Sequence, residues 1–483
     1  MPSKKLFICI LTLSTSLWTT QAYSISLTDY TNKVLNHHPY ISSYKIQLDQ
    51  QNESIEKSRS ISDWMFSNSS TVAHSKPAQS SSFTPSKTES NSLNSQLSKT
   101  IWNSGSEINL FTSISQLNQD SRSLVSNGQE LKFGNKHFFE NQIGLTYSYP
   151  LLKNKKGELN KYNFNSGIIN KKKLKFSLIQ DKEHFVLANI DSYLNWVLIY
   201  ELDKLTEKKY NVAKKSLSLL KRKYKAKLID KVDILRQQDY IQTIKQERLK
   251  IKAQKKVLSK ELALKSNLAI NELHKPTFDL ITPISIDTTI TFEQTLDTAI
   301  YLTQLDAYNL EQNYYINSRK PQLDLDVSYA FVGADSDFSD SLSFDQYSAY
   351  ISLIYTKTLY NRSNTADINT VKLKIDELQT FYESDQLHFN IEKEKVLSDL
   401  ESYTEIVNVN NTQIKLAKQT LIEEKKLYNK GKGNLTFVLQ AQENKHQSEI
   451  RYIRSLLEVH RLTFRFLALT DQLLLLFNTM DLQ

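Results

Sequence analysis

The residues nearest to a chemical signature are Gly431, Lys432 and Gly433, which read GKGNLT with Asn434, Leu435 and Thr436. Two glycines around a lysine, with a threonine close behind, are the ingredients of a loop that wraps phosphates in backbone N–H groups. Such a loop spaces them as GxxxxGK[ST] and follows a strand, whereas GKGNLT has another spacing and follows a helical pattern. His37 and His38 place two imidazoles side by side, but neighbours on a helix do not share a face. No His/Glu set along the chain has metal-ligand spacing. Asp324 and Asp326 could act as general acid and base; at i and i+2 of a strand pattern they read better as the lining of one sheet face. There is no GxSxG motif, and Cys9 is the only cysteine. The sequence therefore predicts no catalytic site, no cofactor and no metal.

The N-terminal MPSKKLFICILTLSTSLWTTQAYS has a basic start at Lys4 and Lys5, an apolar core from Leu6 to Leu13, and small residues at Ala22 and Ser24. That is the layout of a secretory signal peptide over residues 1–24. Its core is too short and too rich in Ser and Thr to span a membrane well. Removing it leaves a chain without cysteine, which excludes disulfides and thiolate metal sites. Net charge is +9. Lys alternates with Glu in ELDKLTEKKY and IEKEKVLSDLES, the pattern of solvated helix faces, so no nucleic-acid partner is expected. The Leu-rich C-terminal segment is interrupted by Arg465 and Asp471. A membrane form of this chain has to be a β-barrel.

Glycine and proline, which punctuate helices, are absent from Ile168 to Lys275, from Ala334 to Lys430, and from Asn434 onward. Leu187, Ile190, Leu194 and Val197 recur at helical spacing, and Leu198, Leu202, Leu205, Val212 and Leu219 roughly continue the stripe. A helix from Leu159 to about Ala226 would be about 100 Å long, which no compact globule needs. Other segments alternate with period two. In IGLTYSY, Ile143, Leu145, Tyr147 and Tyr149 share a face. In PQLDLDVSYAF, Leu323, Leu325, Val327, Tyr329 and Phe331 oppose Gln322, Asp324, Asp326 and Ser328. In YSAYISLIYTK the shared face holds Tyr347, Ala349, Ile351, Leu353 and Tyr355. Membrane barrel strands and half-buried strands of a soluble sandwich both show this alternation.

The chain also repeats itself. QNESIEKSR from Gln51 resembles QNYYINSR from Gln312, and YKAKLIDKVDILRQQD from Tyr224 aligns without gaps on YNKGKGNLTFVLQAQE from Tyr428. Two tandem repeats follow, at 25–280 and 281–483. Each holds a helix, strands, a long helix, a turn (near 225–232 and 429–436) and a returning helix. Repeat one carries an insert at about 77–139. It opens with the Ser-rich run SKPAQSSSFTPSKTESNS, read as a mobile loop. A hairpin follows, SQLSKTIW-NSG-SEINLFTSIS, with Gly105 in its turn, and then a second loop around 127–136. In the turn alignment Lys227 and Ile229 stand where Gly431 and Gly433 stand. A nucleotide loop would not survive that exchange, and a turn between helices would.

In this order, these parts resemble the TolC-like outer-membrane efflux (channel-tunnel) proteins along the whole chain after residue 24. The resemblance is carried by His38-Pro39-Tyr40-Ile41 near the start of repeat one and by Pro150-Leu151-Leu152 after its last strand. The third element is Gly431 followed by Phe437-Val438-Leu439-Gln440-Ala441-Gln442 at the second turn. It implies an α+β membrane protein: a homotrimeric transmembrane β-barrel in outer-membrane lipid, continued by a long antiparallel α-helical barrel across the periplasm. It implies four strands per subunit, with the inserted hairpin either widening the barrel or folding outside it. The implied function is the exit duct of a tripartite efflux system in a Gram-negative bacterium, driven by a proton-dependent or ABC-type inner-membrane pump through a periplasmic adaptor. The alternatives are the duct of an ABC-driven protein secretion system and, outside the family, a secreted or periplasmic coiled-coil scaffold or adhesin. By resemblance, the turns with Lys227, Leu228, Gly431 and Gly433 contact the adaptor. Asp233, Phe437 and Gln440 take the gate positions, and Asp324, Asp326 and Ser328 face the lumen. The sequence departs from the family where Phe437 replaces an acidic residue; it can constrict the entrance or merely pack between helices.

Overall fold

The computed structural model describes residues 24–477 except 79–83, 121–122, 127, 133–135, 270–272 and 274. All of the expected signal segment but Ser24 lies outside the described residues. The chain divides into two compact units.

The first unit holds the described residues up to Lys45, Leu178–Leu296 and those from Gln386 onward. It begins with β1 (Ser24–Ser26), which pairs in parallel with β8 (Lys275–Thr277). Ser26 caps α1 (Leu27–His37) by accepting the Asp29 N–H at 3.1 Å. The helix ends at His38, whose backbone is extended because Pro39 follows, and Pro39 opens α2 (Pro39–Ser58). Two long helices, α3 (Tyr162–Lys225) and α6 (Arg362–Asn429), contribute to both units. Each is followed by a returning helix in the first unit, α4 (Lys231–Ser266) and α7 (Leu435–Leu469). Their core gathers Tyr30, Ile190, Tyr193, Leu194, Trp196, Phe464 and Leu473, all buried.

The expected stripe on α3 holds at its beginning and drifts later. Ile190, Leu194 and Val197 are buried, but Val212 and Leu219 are exposed. Thr206, Ala213 and Leu220, one residue further on and seven apart, are buried instead. A seven-residue repeat on a 3.6-residue helix is the coiled-coil pattern. Not every charged residue is solvated. Glu183 is 2% exposed and accepts the Leu473 N–H at 2.9 Å. Burial and then the nearby Asp471 carboxylate push its carboxyl up to about 9.

The second unit, Ile46–Ser177 with Asp297–Asp385, includes α5 (Leu296–Ser318) and a six-stranded antiparallel sheet. Its strands are β2 (Met65–Ser75), β3 (Lys87–Thr100), β4 (Glu107–Asp120), β7 (Lys136–Pro150), β9 (Gln322–Asp335) and β10 (Gln346–Thr356). Their order is β10-β9-β7-β4-β3-β2, so β10 and β2 are the edges. The chain thus carries six strands in one sheet where the resemblance implied four. The hairpin β3–β4 lies inside the sheet, paired with β2 on one side and β7 on the other. Its turn is anchored to the body of the unit. Gly105, at φ 75°, sits so close to the Asn154 carbonyl that a Cβ there would come within 2.5 Å of it, and Ser106 is fully buried.

Two expected loops are shorter than their composition suggests. The Ser-rich run becomes strand from Lys87, because Asn91 and Ser92 are paired on both sides; sheet context overrides weak strand propensity there. In the second loop, β6 (Gln129–Lys132) is strand, paired with β5 (Ser123–Ser126) just before the loop. No described helix is long and apolar enough to cross a membrane.

Candidate functional site: a two-faced sheet and paired helical turns

The register of the sheet sorts its side chains onto two unlike faces, because alternate residues of a strand point to opposite sides. One row runs across all six strands as Phe66, Leu97, Leu110, Leu145, Tyr329 and Ala349. Adjacent rows on this face add Ile143, Val327, Phe331, Tyr347 and Ile351, and many of these are bare to the outside: Phe66 is 67% exposed and Ile351 75%. The band thins on β2 and β3, where Asn68, Ser70 and Ser95 share the face. The opposite face is polar. One row reads Ser69, Asn94, Ser113, Gln142, Val332 and Gln346. Ser113 donates to the Asn94 side chain at 2.6 Å, and the Thr146 and Ser328 hydroxyls are 3.0 Å apart. Phe111, Phe138 and Tyr350 are the large aromatics on this face, and Gly144 leaves room for the Phe111 ring.

Asp324, Asp326 and Ser328 all lie on the polar face. Ser328 is buried, the two aspartates are half-buried, and the Gln322 amide donates to Asp324. Glu107 shares a row with Asp326, through Ser148 between them.

The second constellation lies where α3 turns into α4 and α6 into α7. Both long helices end alike. The Lys227 N–H donates to the Tyr224 carbonyl at 2.9 Å and the Leu228 N–H to the Lys223 carbonyl at 3.0 Å. In the other turn Gly431 donates to Tyr428 at 3.1 Å and Lys432 to Leu427 at 3.0 Å. This bond pair is the Schellman closure, which needs a left-handed residue after the helix. Lys227 adopts it at φ 56° and Gly431 at φ 69°. The GKG sequence is thus a helix terminus.

The turns pack on each other around Leu220, Leu435 and Val438. Asp233, largely covered, accepts the Tyr428 hydroxyl at 3.3 Å and lies 3.6 Å from Arg236. Burial and then the Asp233 carboxylate push the Tyr428 hydroxyl up to about 12. Lys223 donates to Asn429 at 3.0 Å and stands over the Tyr428 ring. Phe437, one turn into α7, is 57% exposed, and Gln440 is exposed one turn further along. Leu228 is exposed as well, whereas Gly433 is half-buried beneath Leu427 and Tyr428. The structure brings Asp233 together with Tyr428 and Lys223, which sequence reasoning did not single out. The signal was present: Tyr428 opens the second copy of the repeated turn. His37 and His38 instead serve the end of α1, His38 accepting the Tyr40 N–H at 3.2 Å. Among the described residues no three His, Cys, Asp or Glu side chains are grouped to hold a metal.

No protein-family model and no curated protein matches the sequence. Several solved structures do match the fold. The outer membrane protein VceC of Vibrio cholerae aligns with TM-score 0.65 and 12% identity over 92% of this chain and 95% of that one. CusC, whose structures concern transmembrane channel formation, aligns with TM-score 0.67 and 12% identity over 92% and 91%. The CmeC outer membrane channel of Campylobacter jejuni aligns with TM-score 0.65 and 14% identity over 92% and 86%. Identity this low establishes architecture, and function has to be argued from the surfaces. The chain has the fold of these outer-membrane channel proteins.

Proposed function

We propose that the protein is the outer-membrane exit duct of a tripartite efflux system in a Gram-negative bacterium. In this reading it is a passive homotrimeric channel, continued through the periplasm by its helices and served by a periplasmic adaptor and an inner-membrane pump. The observation that carries the reading is the two-faced register of the sheet. A sheet with one apolar and one hydrated face suits the wall between lipid and a water-filled lumen. Its edges, β2 and β10, cannot face lipid unpaired, because every backbone N–H and C=O must be satisfied there. Pairing β2 of one chain with β10 of the next closes the wall in the antiparallel sense that the rest of the sheet already has. Three chains of six strands make eighteen, in the range of about 16 to 18 where barrels enclose an aqueous channel. Asp324, Asp326 and Ser328 then line the lumen. Apolar residues a heptad apart and exposed on the helices, Val257 with Leu264 and Val409 with Leu416, supply contacts between neighbouring chains.

Transport through such a duct needs no chemistry of its own, consistent with the lack of a catalytic constellation in the sequence. The turns with Lys227, Leu228, Gly431 and Gly433 are the surface offered to the adaptor. Phe437, exposed beside them with Gln440, forms the constriction at the entrance, while Asp233 is engaged by Tyr428 and Arg236.

Detergent-extracted protein reconstituted in planar bilayers tests both levels of the reading. The expected result is an outer-membrane trimer with a discrete aqueous conductance. A chain that is soluble without detergent and never conducts overturns it in favour of a coiled-coil scaffold. Phe437→Ala is expected to raise the resting conductance; an unchanged resting state removes Phe437 from the gate and leaves the duct standing.

A further inference from the structure

In the first unit, α3, α4, α6 and α7 line a half-open cavity of about 230 Å³ whose lining is rich in cations. Lys208, Lys209, Lys425 and Lys445 reach it with His446, and Glu449 is the one carboxylate in its wall. Two of these lysines are matched. Lys209 is only 9% exposed and lies 3.1 Å from Glu247 and 2.8 Å from Glu443. Its two carboxylates are engaged elsewhere too: Tyr240 donates to Glu443 at 3.4 Å, while contact with His446 and then the Lys209 charge hold Glu247 down to about 2. Lys445 lies 2.8 Å from Glu449.

Lys425 is in a different position. It is half-buried, and no carboxylate stands within ion-pair distance of it among the described residues. Burial, and then the charge of Lys445, push its ammonium below the usual lysine range. Lys208, exposed on α3, likewise has no ion-pair partner among the described residues. Positive groups held together in a partly desolvated cleft carry a cost that a bound anion offsets, and hydrogen bonds from an ammonium to an oxyanion are among the strong ones.

We propose that this cavity is a binding site for a small oxyanion, held between Lys425 and Lys445 with Lys208 at its mouth. The volume sets the size of the ligand. It falls below the roughly 300–1,000 Å³ of pockets that take drug-sized molecules, so it suits a phosphate or a compact carboxylate. The site is formed by the helices alone and stands or falls independently of the channel reading.

Competitive acetylation of the full chain in detergent tests the proposal, with each lysine quantified by mass spectrometry. Inorganic phosphate is expected to slow modification of Lys425 by at least about tenfold, with Lys430 and Lys432 on the nearby turn unaffected. Sodium chloride at matched ionic strength gives no such protection. A parallel arm with citrate reports whether a carboxylate or a phosphate is preferred, and selective protection by either supports the site. Lys445→Met, or the milder change Lys208→Met on the exposed rim, is expected to weaken the protection several-fold. Equal protection by chloride, equal protection of Lys430 and Lys432, or protection indifferent to both substitutions overturns the proposal.

Discussion

The two helical turns lie 204 residues apart, close with the same backbone bonds, and place unlike chemistry on them. α3 and α6 end four residues before Ile229 and Gly433, and α4 and α7 begin two residues after them. Lys227 and Gly431 share the left-handed conformation although only glycine adopts it without strain. The caps differ: Asn434 accepts the Thr436 N–H at 2.9 Å, whereas the Asp230 side chain makes no such bond. The sharpest difference is at the matched positions Asp233 and Phe437. Tyr428 of the second turn donates to Asp233 of the first. The matching tyrosine, Tyr224, is 43% exposed, and the residue matched to Asp233 is Phe437, which carries no acceptor. Helix termination fixes the backbone of a duplicated turn and leaves its side chains free to diverge. One copy has become an anchor, and the other presents an exposed aromatic.

Exchanging residues between the turns tests how far their equivalence goes. The largest effect is expected at Gly433, where a Cβ would come within 2.9 Å of the Tyr428 nitrogen and 3.1 Å of the Leu427 carbonyl carbon. Gly433→Ile, which copies Ile229, should destabilise the protein by about 2–3 kcal/mol in thermal unfolding. A neutral result would show the two backbones to be interchangeable here. Asp233→Ala should cost about 1–2 kcal/mol by removing a charged, largely covered acceptor. Phe437→Ala should leave stability almost unchanged because the ring is mostly exposed; under the proposed gate its effect appears in conductance alone. An equal loss in both variants would erase the division between a bonded anchor and an exposed aromatic.

A smaller change of opposite sign is expected at the left-handed position. Lys227→Gly should stabilise by about 0.5–1 kcal/mol, and Gly431→Lys should destabilise by a similar amount. The space beside Gly431 is open, so only backbone strain is at stake. The smallest effect is a coupling. Tyr224→Phe should be silent in the native chain and cost about 0.5 kcal/mol when Phe437→Asp supplies an acceptor. A double-mutant cycle with no coupling would mean that the turns are not symmetric at side-chain level.

Much of the fold was legible because its signals are local. The period-two runs at β7, β9 and β10 lie in consecutive residues, and the missing glycine and proline mark out the long helices. The turn was legible because it occurs twice. Legibility failed where a segment's state depends on its neighbours. Lys87–Ser92 reads as a Ser-rich loop, yet it is strand because β2 and β4 offer backbone partners on both sides. Val212 and Leu219 read as core, yet the buried residues are Ala213 and Leu220, since a heptad stripe slips around a 3.6-residue helix. For the surfaces, Asp324, Asp326 and Ser328 could be set on one face from alternation alone. The bond between Tyr428 and Asp233 could not be read, as it joins residues 195 positions apart.

Residue order alone specified the long helices, the turns between them and the two-sidedness of β7, β9 and β10, because each depends on residue types at short, regular spacing. Tertiary structure alone decided that the inserted hairpin belongs to the sheet, that Glu183 among so many solvated charges is buried beside Asp471, and that Lys425 and Lys445 line one cavity. Those outcomes depend on burial and on charges brought together from distant positions, and neither quantity is written in the order of the residues.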